Sequence, residues 1–223
     1  MVIFTDGQVG TTMETSSDLS AWTGKTVYGT GVNSVITDWY HHGANCYKTD
    51  SPDENNFASI YKTIANTLIT FSRFYFRADA LPDNSTVPIA YFDCGGGVRY
   101  FLKISGSGRK LQIVSTIMAT KTSATGISLD TDYCIEVLVD GTDDNGTLTV
   151  WLNGAELADI STTGFDGYGV GMQQFHIGVP DTARNFLAQV TLYFDCIIIN
   201  TEYNGPEVSG IPASLKWIPH AAV

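Results

Sequence analysis

The sequence predicts an all-β chain folded as an antiparallel two-sheet β-sandwich or jelly roll. Short runs rich in β-branched and aromatic residues recur along it, clusters of Gly, Asn, Asp and Ser separate them, and convincing helical periodicity is scarce. Many strands at short spacing without interleaved helices favour antiparallel layers over a parallel sheet.

Taken in chain order, Asn56 to Asn66 suits either a short helix or an irregular strand, because Ile60, Tyr61 and Ile64 serve both. Leu68 to Ala78 (LITFSRFYFRA) reads as a strand. Val87 to Cys94 (VPIAYFDC) and Val98 to Ile104 (VRYFLKI) flank Gly95-Gly96-Gly97, a hairpin signal, and Ser105-Gly106-Ser107-Gly108 turns the chain into Lys110 to Thr116. Tyr133 to Asp140 (YCIEVLVD) passes through a Gly/Asp/Asn loop into Thr147 to Leu152. Asn153-Gly154, the strongest two-residue hairpin signal, leads on to Ala155 to Ile160, and Ala188 to Asn200 closes the body. With no internal repeat or central linker, one domain over residues 1–204 is expected. Residues 205–223 differ: they carry three prolines and no strand pattern, and read as an extended tail able to dock through Trp217 and Ile218 or to cover a core edge.

Composition narrows the function. Of 223 residues, 43% are hydrophobic and 16% charged, enough for a packed core and against extensive disorder. A formal net charge of −11 opposes binding to duplex nucleic acid or an anionic membrane surface. No apolar run reaches the roughly 18–20 residues that span a bilayer. The start, Met-Val-Ile-Phe-Thr-Asp, has neither a basic nor an apolar leader region, so no secretory signal is expected. Cys46, Cys94, Cys134 and Cys196 form no CxxC pair, which disfavours a zinc ribbon or thioredoxin-type site and leaves free buried thiols and disulfides both open.

Several stretches carry a resemblance. Glu14 precedes Asp18-Leu-Ser-Ala-Trp22, His41-His42-Gly43 opens a later segment, and Arg73 to Asp79 reads RFYFRAD. Tyr133 to Ala158 forms a YCIEVLVDG…LTVWLNGAELA hairpin, and the chain closes with LYFDCIIINTEYNGP. In this order they resemble phage and bacterial members of the concanavalin A-like (laminin G-like) lectin and glucanase superfamily. The resemblance implies a jelly roll, a fold that hosts lectins, hydrolases, lyases and inert virion proteins. It also implies a structural calcium where the N-terminal segment meets the closing strand, held by Glu14 and Asp195, although Cys196 stands where a second aspartate is usual and a hard cation needs six to eight oxygens.

Alternation along the Arg73 strand puts Phe74 and Phe76 on one face and Arg73, Tyr75 and Arg77 on the other. The phenylalanines suit the core. Guanidinium groups flanking a tyrosine suit a groove for an anionic glycan, since they bind carboxylate or sulfate bidentately and tyrosine stacks on a sugar ring. Arg99 and Lys103, two-spaced around Phe101, are expected to extend that surface, and Trp39, beside a polar loop, is the tryptophan best placed as a sugar platform. Trp22 and Trp151 read as packing.

Catalytic patterns are weaker. Arg73-Phe-Tyr75-Phe-Arg77 is similar to the RxExR strand of jelly-roll alginate lyases and Gln174-Phe-His176 to their QIH. However, Tyr75 replaces the glutamate, QFH comes late in the chain, and its position matches the YFKAGxY strand with Pro180 in place of the tyrosine. Glu136 and Asp140 share a strand face but lie roughly 13 Å apart, too far for a glycosidase pair. GxSxG, HExxH, GxGxxG and P-loop patterns are missing. His41 and His42 read as a structural turn; on a strand they would point to opposite faces and not chelate one ion together.

The expectation is therefore a non-catalytic, lectin-like surface protein on a virion or outside the cell, a phage head decoration or tail adhesin. Its expected ligand is a glycan, anionic in character, met by Arg73, Tyr75, Arg77, Arg99, Lys103, Gln174, His176 and Trp39. Capsid or tail proteins would be met through the tail, the chain would form a homo-oligomer, and nucleic acid and membrane are not expected. The alternatives are a carbohydrate-binding module of a secreted polysaccharide-degrading enzyme and a diverged anionic-polysaccharide lyase.

Overall fold

Alternating burial along the strands sorts the chain into two antiparallel sheets with one apolar core between them. The computed structural model describes residues 1–6, 13, 18–53, 55–83, 86–106, 108–180 and 189–207. Sheet A runs β13 (Ala155–Glu156), β12 (Gly146–Leu152), β11 (Tyr133–Asp140), β6 (Ile69–Ala80), β16 (Val190–Asn200), β4 (Cys46–Ser51) and β3 (Val32–Ile36). In addition, β1 (Val2–Asp6) pairs with β16, and β14 (Thr162–Phe165) with β12. Sheet B runs β10 (Lys121–Gly126), β9 (Lys110–Ser115), β8 (Arg99–Ser105), β7 (Thr86–Asp93), β15 (Met172–Gly178), β5 (Phe57–Thr67) and β2 (Gly24–Tyr28). The all-β sandwich expected from the sequence is the fold observed. Asn56 to Asn66 resolves as strand β5.

The chain crosses between layers repeatedly, from β4 to β5, β5 to β6, β6 to β7, β10 to β11 and β14 to β15, before returning through β16. Aromatic rings knit the layers together. Phe74 of β6 packs on Phe175 of β15 at 6.2 Å between centroids and on Phe194 of β16 at 5.7 Å, and Phe92 meets Phe175 at 5.3 Å. Phe74 and Phe76 therefore face the core as alternation requires.

Hairpin chemistry also follows the sequence. Asn153 (φ 53°) and Gly154 (φ 82°) both occupy the left-handed region, the I′ geometry that lets a two-residue turn join β12 to β13. Gly154→Ala is expected to destabilise the fold by about 1–2 kcal/mol, because a side chain is strained at that φ. The new carbon would also fall 2.9 Å from Pro206. Urea denaturation checks the value, and an unchanged midpoint would contradict it.

One irregularity positions the site. Along β16 the core residues are Val190, Leu192 and Phe194, then Ile197 and Ile199. The parity changes at Asp195-Cys196, where the pairing with β6 slips between Asp195 and Ile198 and Cys196 adopts φ 49°. This bulge lies between the stretch of β16 paired with β4 and the stretch paired with β1, and it adds Cys196 to the outer face beside Asp195, which alternation from Phe194 already points outward.

Candidate functional site

The outer face of sheet A carries Arg73 and Tyr75, but the chain covers it with its own segments. Arg73 is 4% exposed and Tyr75 5%. Arg73 donates from Nη1 to the Gly205 carbonyl (3.0 Å) and from Nη2 to Glu207 Oε1 (2.7 Å), while the Glu207 N–H donates to the Tyr75 hydroxyl (2.7 Å). The His41 ring stacks on Tyr75 with centroids 3.4 Å apart, and His42 Nδ1 pairs with Glu207 Oε2. Beneath them, Asp195 Oδ2 accepts the N–H groups of His41 (2.6 Å) and His42 (2.9 Å). On the neighbouring strand Glu136 accepts the Asn204 and Gly205 N–H groups, each at 2.8 Å.

This arrangement corrects the expected groove. Arg73 and Tyr75 do sit on the outward parity of β6, but no sugar reaches them, because residues 204–207 supply the hydrogen bonds that a ligand would have made. The first three residues of the expected tail are thus part of the sandwich; residues 208–223, with Trp217 and Ile218, lie outside the described residues. Arg77 lies farther along, bonded to Asp79 (2.8 Å) and Asp130 (3.0 Å), and the Asp79 hydrogen bond leads the causes that raise its pKa. Trp39 donates to Asp132 (3.0 Å) and packs against Tyr75, Cys134 and Cys196, so it walls this covered face.

Arg99, Lys103, Gln174 and His176 do not extend the Arg73 surface. They lie on β8 and β15 of sheet B, on the opposite side of the sandwich, because the connection from β6 to β7 crosses between layers. There they meet a row of rings that sequence reading passed over. Tyr61 stacks on His176 (5.1 Å), His176 meets Tyr91 (4.9 Å), Tyr91 stacks on Phe101 (4.8 Å, 9° between planes), and Lys103 Nζ lies 5.4 Å from the Phe101 centroid. The signal was available in the alternation of Tyr91 with Asp93 and of Phe101 with Lys103. Polar groups edge the row. Gln174 Oε1 is 3.2 Å from His176 Nε2, and the Tyr91 hydroxyl donates to Asp93 (2.7 Å). Arg99, with its side chain 46% exposed, reaches toward Asp93 at 3.8 Å.

Burial sets the protonation here. It lowers the His176 pKa to about 4, with Asp93 opposing weakly, so the ring is neutral at neutral pH. Burial raises the Tyr91 pKa and lowers that of Lys103. Tyr91 and Phe101 are each only 7% exposed, so the accessible groups are Tyr61 and His176 within the row and Gln174, Asp93 and Arg99, which form the neighbouring row across the same strands.

Of the two residues expected to hold calcium, Glu14 lies outside the described residues. Asp195 accepts the N–H groups of His41 and His42 on one oxygen and that of Cys196 (2.8 Å) on the other. Surroundings of N–H donors suit a carboxylate that anchors a loop and do not fit a hard cation, which seeks oxygens. His41 and His42 lie in a bend before Gly43, the turn that the sequence favours, and there their rings come within 4.6 Å of each other. All four cysteines are free, buried thiols, with burial pushing Cys94 up to about 12 and Cys134 up to about 11.

No protein-family model and no curated protein matches the chain. Several solved structures resemble it. Cellulose induced protein Cip1 superposes with a TM-score of 0.70 at 18% identity, covering 92% of this chain and 100% of that one. An endo-beta-1,4-glucuronan lyase from the fungus Trichoderma reesei gives 0.65 at 13%, covering 91% and 96%. Alginate lyase AlgAT5 from polysaccharide lyase family 7 gives 0.52 at 10%, covering 80% and 94%. At these identities the likeness establishes the fold, a jelly-roll β-sandwich, and nothing more.

Proposed function

We propose that the chain is a non-catalytic glycan-binding jelly roll whose sugar site is the outer face of sheet B. The carrying observation is the half-buried pair Tyr61 and His176 beside the polar cross-strand row Gln174, Asp93 and Arg99, with the buried rings of Tyr91 and Phe101 packed alongside. Aromatic faces suit the apolar faces of sugar rings, and a neutral imidazole offers one donor and one acceptor to hydroxyl groups. Arg99 is a fork for a carboxylate, which favours uronate-containing chains. The neighbouring folds support the reading through what their names say of them: two are lyases of glucuronan and alginate, both uronate polymers.

Calorimetric titration with uronate and neutral oligosaccharides, with and without chelator, tests it. Arg99→Ala is expected to weaken uronate binding by about tenfold, roughly 1.4 kcal/mol, while Arg77→Ala on the opposite sheet leaves affinity unchanged. Absence of binding, or equal binding by Arg99→Ala, would overturn the assignment.

The setting proposed with it is a virion surface, as head decoration or tail adhesin, with capsid or tail proteins met through the residues after 207. An adjoining catalytic domain in the same gene would replace that setting with a module of a secreted enzyme. A lyase is the second reading, favoured by neutral His176 between two tyrosines. Elimination next to a uronate carboxylate needs a base for the proton and an acid for the leaving oxygen. Against it, the Tyr91 hydroxyl is engaged by Asp93. Ultraviolet absorbance from an unsaturated product would decide for the lyase.

A further inference from the structure

We propose that His41, His42 and Glu207 form a binding site for a borderline divalent transition-metal ion, with Zn²⁺ as the fitting probe, on the covered face of sheet A. Their ligand atoms lie within 4.8 Å of one another. Tetrahedral zinc with bonds near 2.1 Å places its ligands roughly 3.4 Å apart, a distance that small side-chain adjustments reach. An ion entering between His42 Nδ1 and Glu207 Oε2 replaces their direct contact and bonds to both.

Two of the three candidate ligands are oriented by further residues, as ligands in metal sites are. The His41 ring lies on Tyr75, and Asp195 accepts the backbone N–H groups of both histidines, which fixes the loop that carries the two rings. Glu207 is fixed at its N–H by Tyr75 and at Oε1 by Arg73, which leaves Oε2 on the histidine side. The pieces come from far apart in the chain and are brought to one point by the β16 bulge and by the anchoring of residues 204–207 on Glu136.

Charge and donor type agree. Two imidazoles and one carboxylate select zinc-like ions over calcium or magnesium, which prefer all-oxygen shells. Among the described residues Arg73 is the guanidinium beside the cluster, and the Glu207, Asp195 and Asp132 carboxylates outnumber it. The His42 side chain is 42% exposed, which gives an ion a path in and a water the fourth position. Occupation would tie the loop before Gly43 to the segment that seals Arg73.

The test uses tag-free, chelator-stripped chain titrated with Zn²⁺ against a chromogenic chelator, and with Co²⁺ read by its visible absorption. One tight site per chain is expected, with tetrahedral Co²⁺ bands and a raised melting temperature on adding Zn²⁺. His42→Ala, a half-exposed side chain whose loss leaves the Asp195 contacts to the backbone in place, is expected to weaken binding at least a hundredfold. His41→Ala and Glu207→Gln should do the same, and His176→Gln should leave Zn²⁺ affinity unchanged. Absence of stoichiometric binding, or undiminished binding by folded His42→Ala, would overturn the site and leave the cluster an ion-pair latch.

Discussion

Arg73→Ala is expected to lower the melting temperature by on the order of 10 °C while leaving glycan affinity unchanged. The sequence alone argues the opposite, loss of a ligand contact without loss of stability, so this variant separates the two accounts. Arg73 and Glu207 pair at 2.7 Å with side chains only 5% and 6% exposed. Removing Arg73 leaves the buried Glu207 carboxylate with His42 as its remaining partner, and breaking a pair buried to this degree typically costs up to about 3–5 kcal/mol. The Gly205 carbonyl loses its donor at the same time. The double variant Arg73→Met, Glu207→Leu should recover much of the loss, because no lone charge remains buried, and the excess over additivity measures the coupling. A melting temperature within a degree or two of wild type for Arg73→Ala would mean that residues 204–207 do not seal this face in solution.

The boundary between what was legible in the sequence and what was not follows the range of the interactions. β11 was readable to the residue, and the Asn153-Gly154 turn by type, because alternation and turn chemistry act within a few positions. The short edge strands β2 (GKTVY) and β3 (VNSVI) were missed, since five residues with polar members give too weak a pattern. The outward parity of Arg73 was legible for the same local reason as the inward parity of Phe74. Whether an outward face stays bare was not, because its cover comes from Gly205 and Glu207, more than 130 positions away. Arg99 and Lys103 were grouped with Arg73 because their strands are near in sequence, whereas the connection from β6 to β7 carries the chain into the other layer. The turn at His41-His42 was legible, whereas the approach of their two rings was not, because it depends on how the bend before Gly43 sits on Tyr75.

Acidification from pH 6.5 to about 4 is expected to remove roughly 3 kcal/mol of stability through His176 alone, at 1.36 kcal/mol per unit of pKa difference. In the unfolded chain this imidazole takes up its proton near its ordinary pKa of 6.5, whereas burial between Tyr61 and Tyr91 holds the folded-state pKa at about 4. Above pH 6.5 both states are neutral and the residue contributes nothing to the pH dependence. Between the two values the unfolded state binds a proton that the folded state does not, so each step downward favours unfolding, and below about 4 the loss is complete. His41, lowered by burial and then by His42, acts in the same direction and steepens the fall. Urea midpoints measured from pH 7 to pH 5 should therefore decline in the wild type and decline less in His176→Gln, a window chosen to lie above most carboxylate titration. Parallel profiles for the two would show that the ring is solvated in the folded state. That outcome would also remove the neutral imidazole on which the sugar site of sheet B depends, so this titration bears on function as directly as on stability.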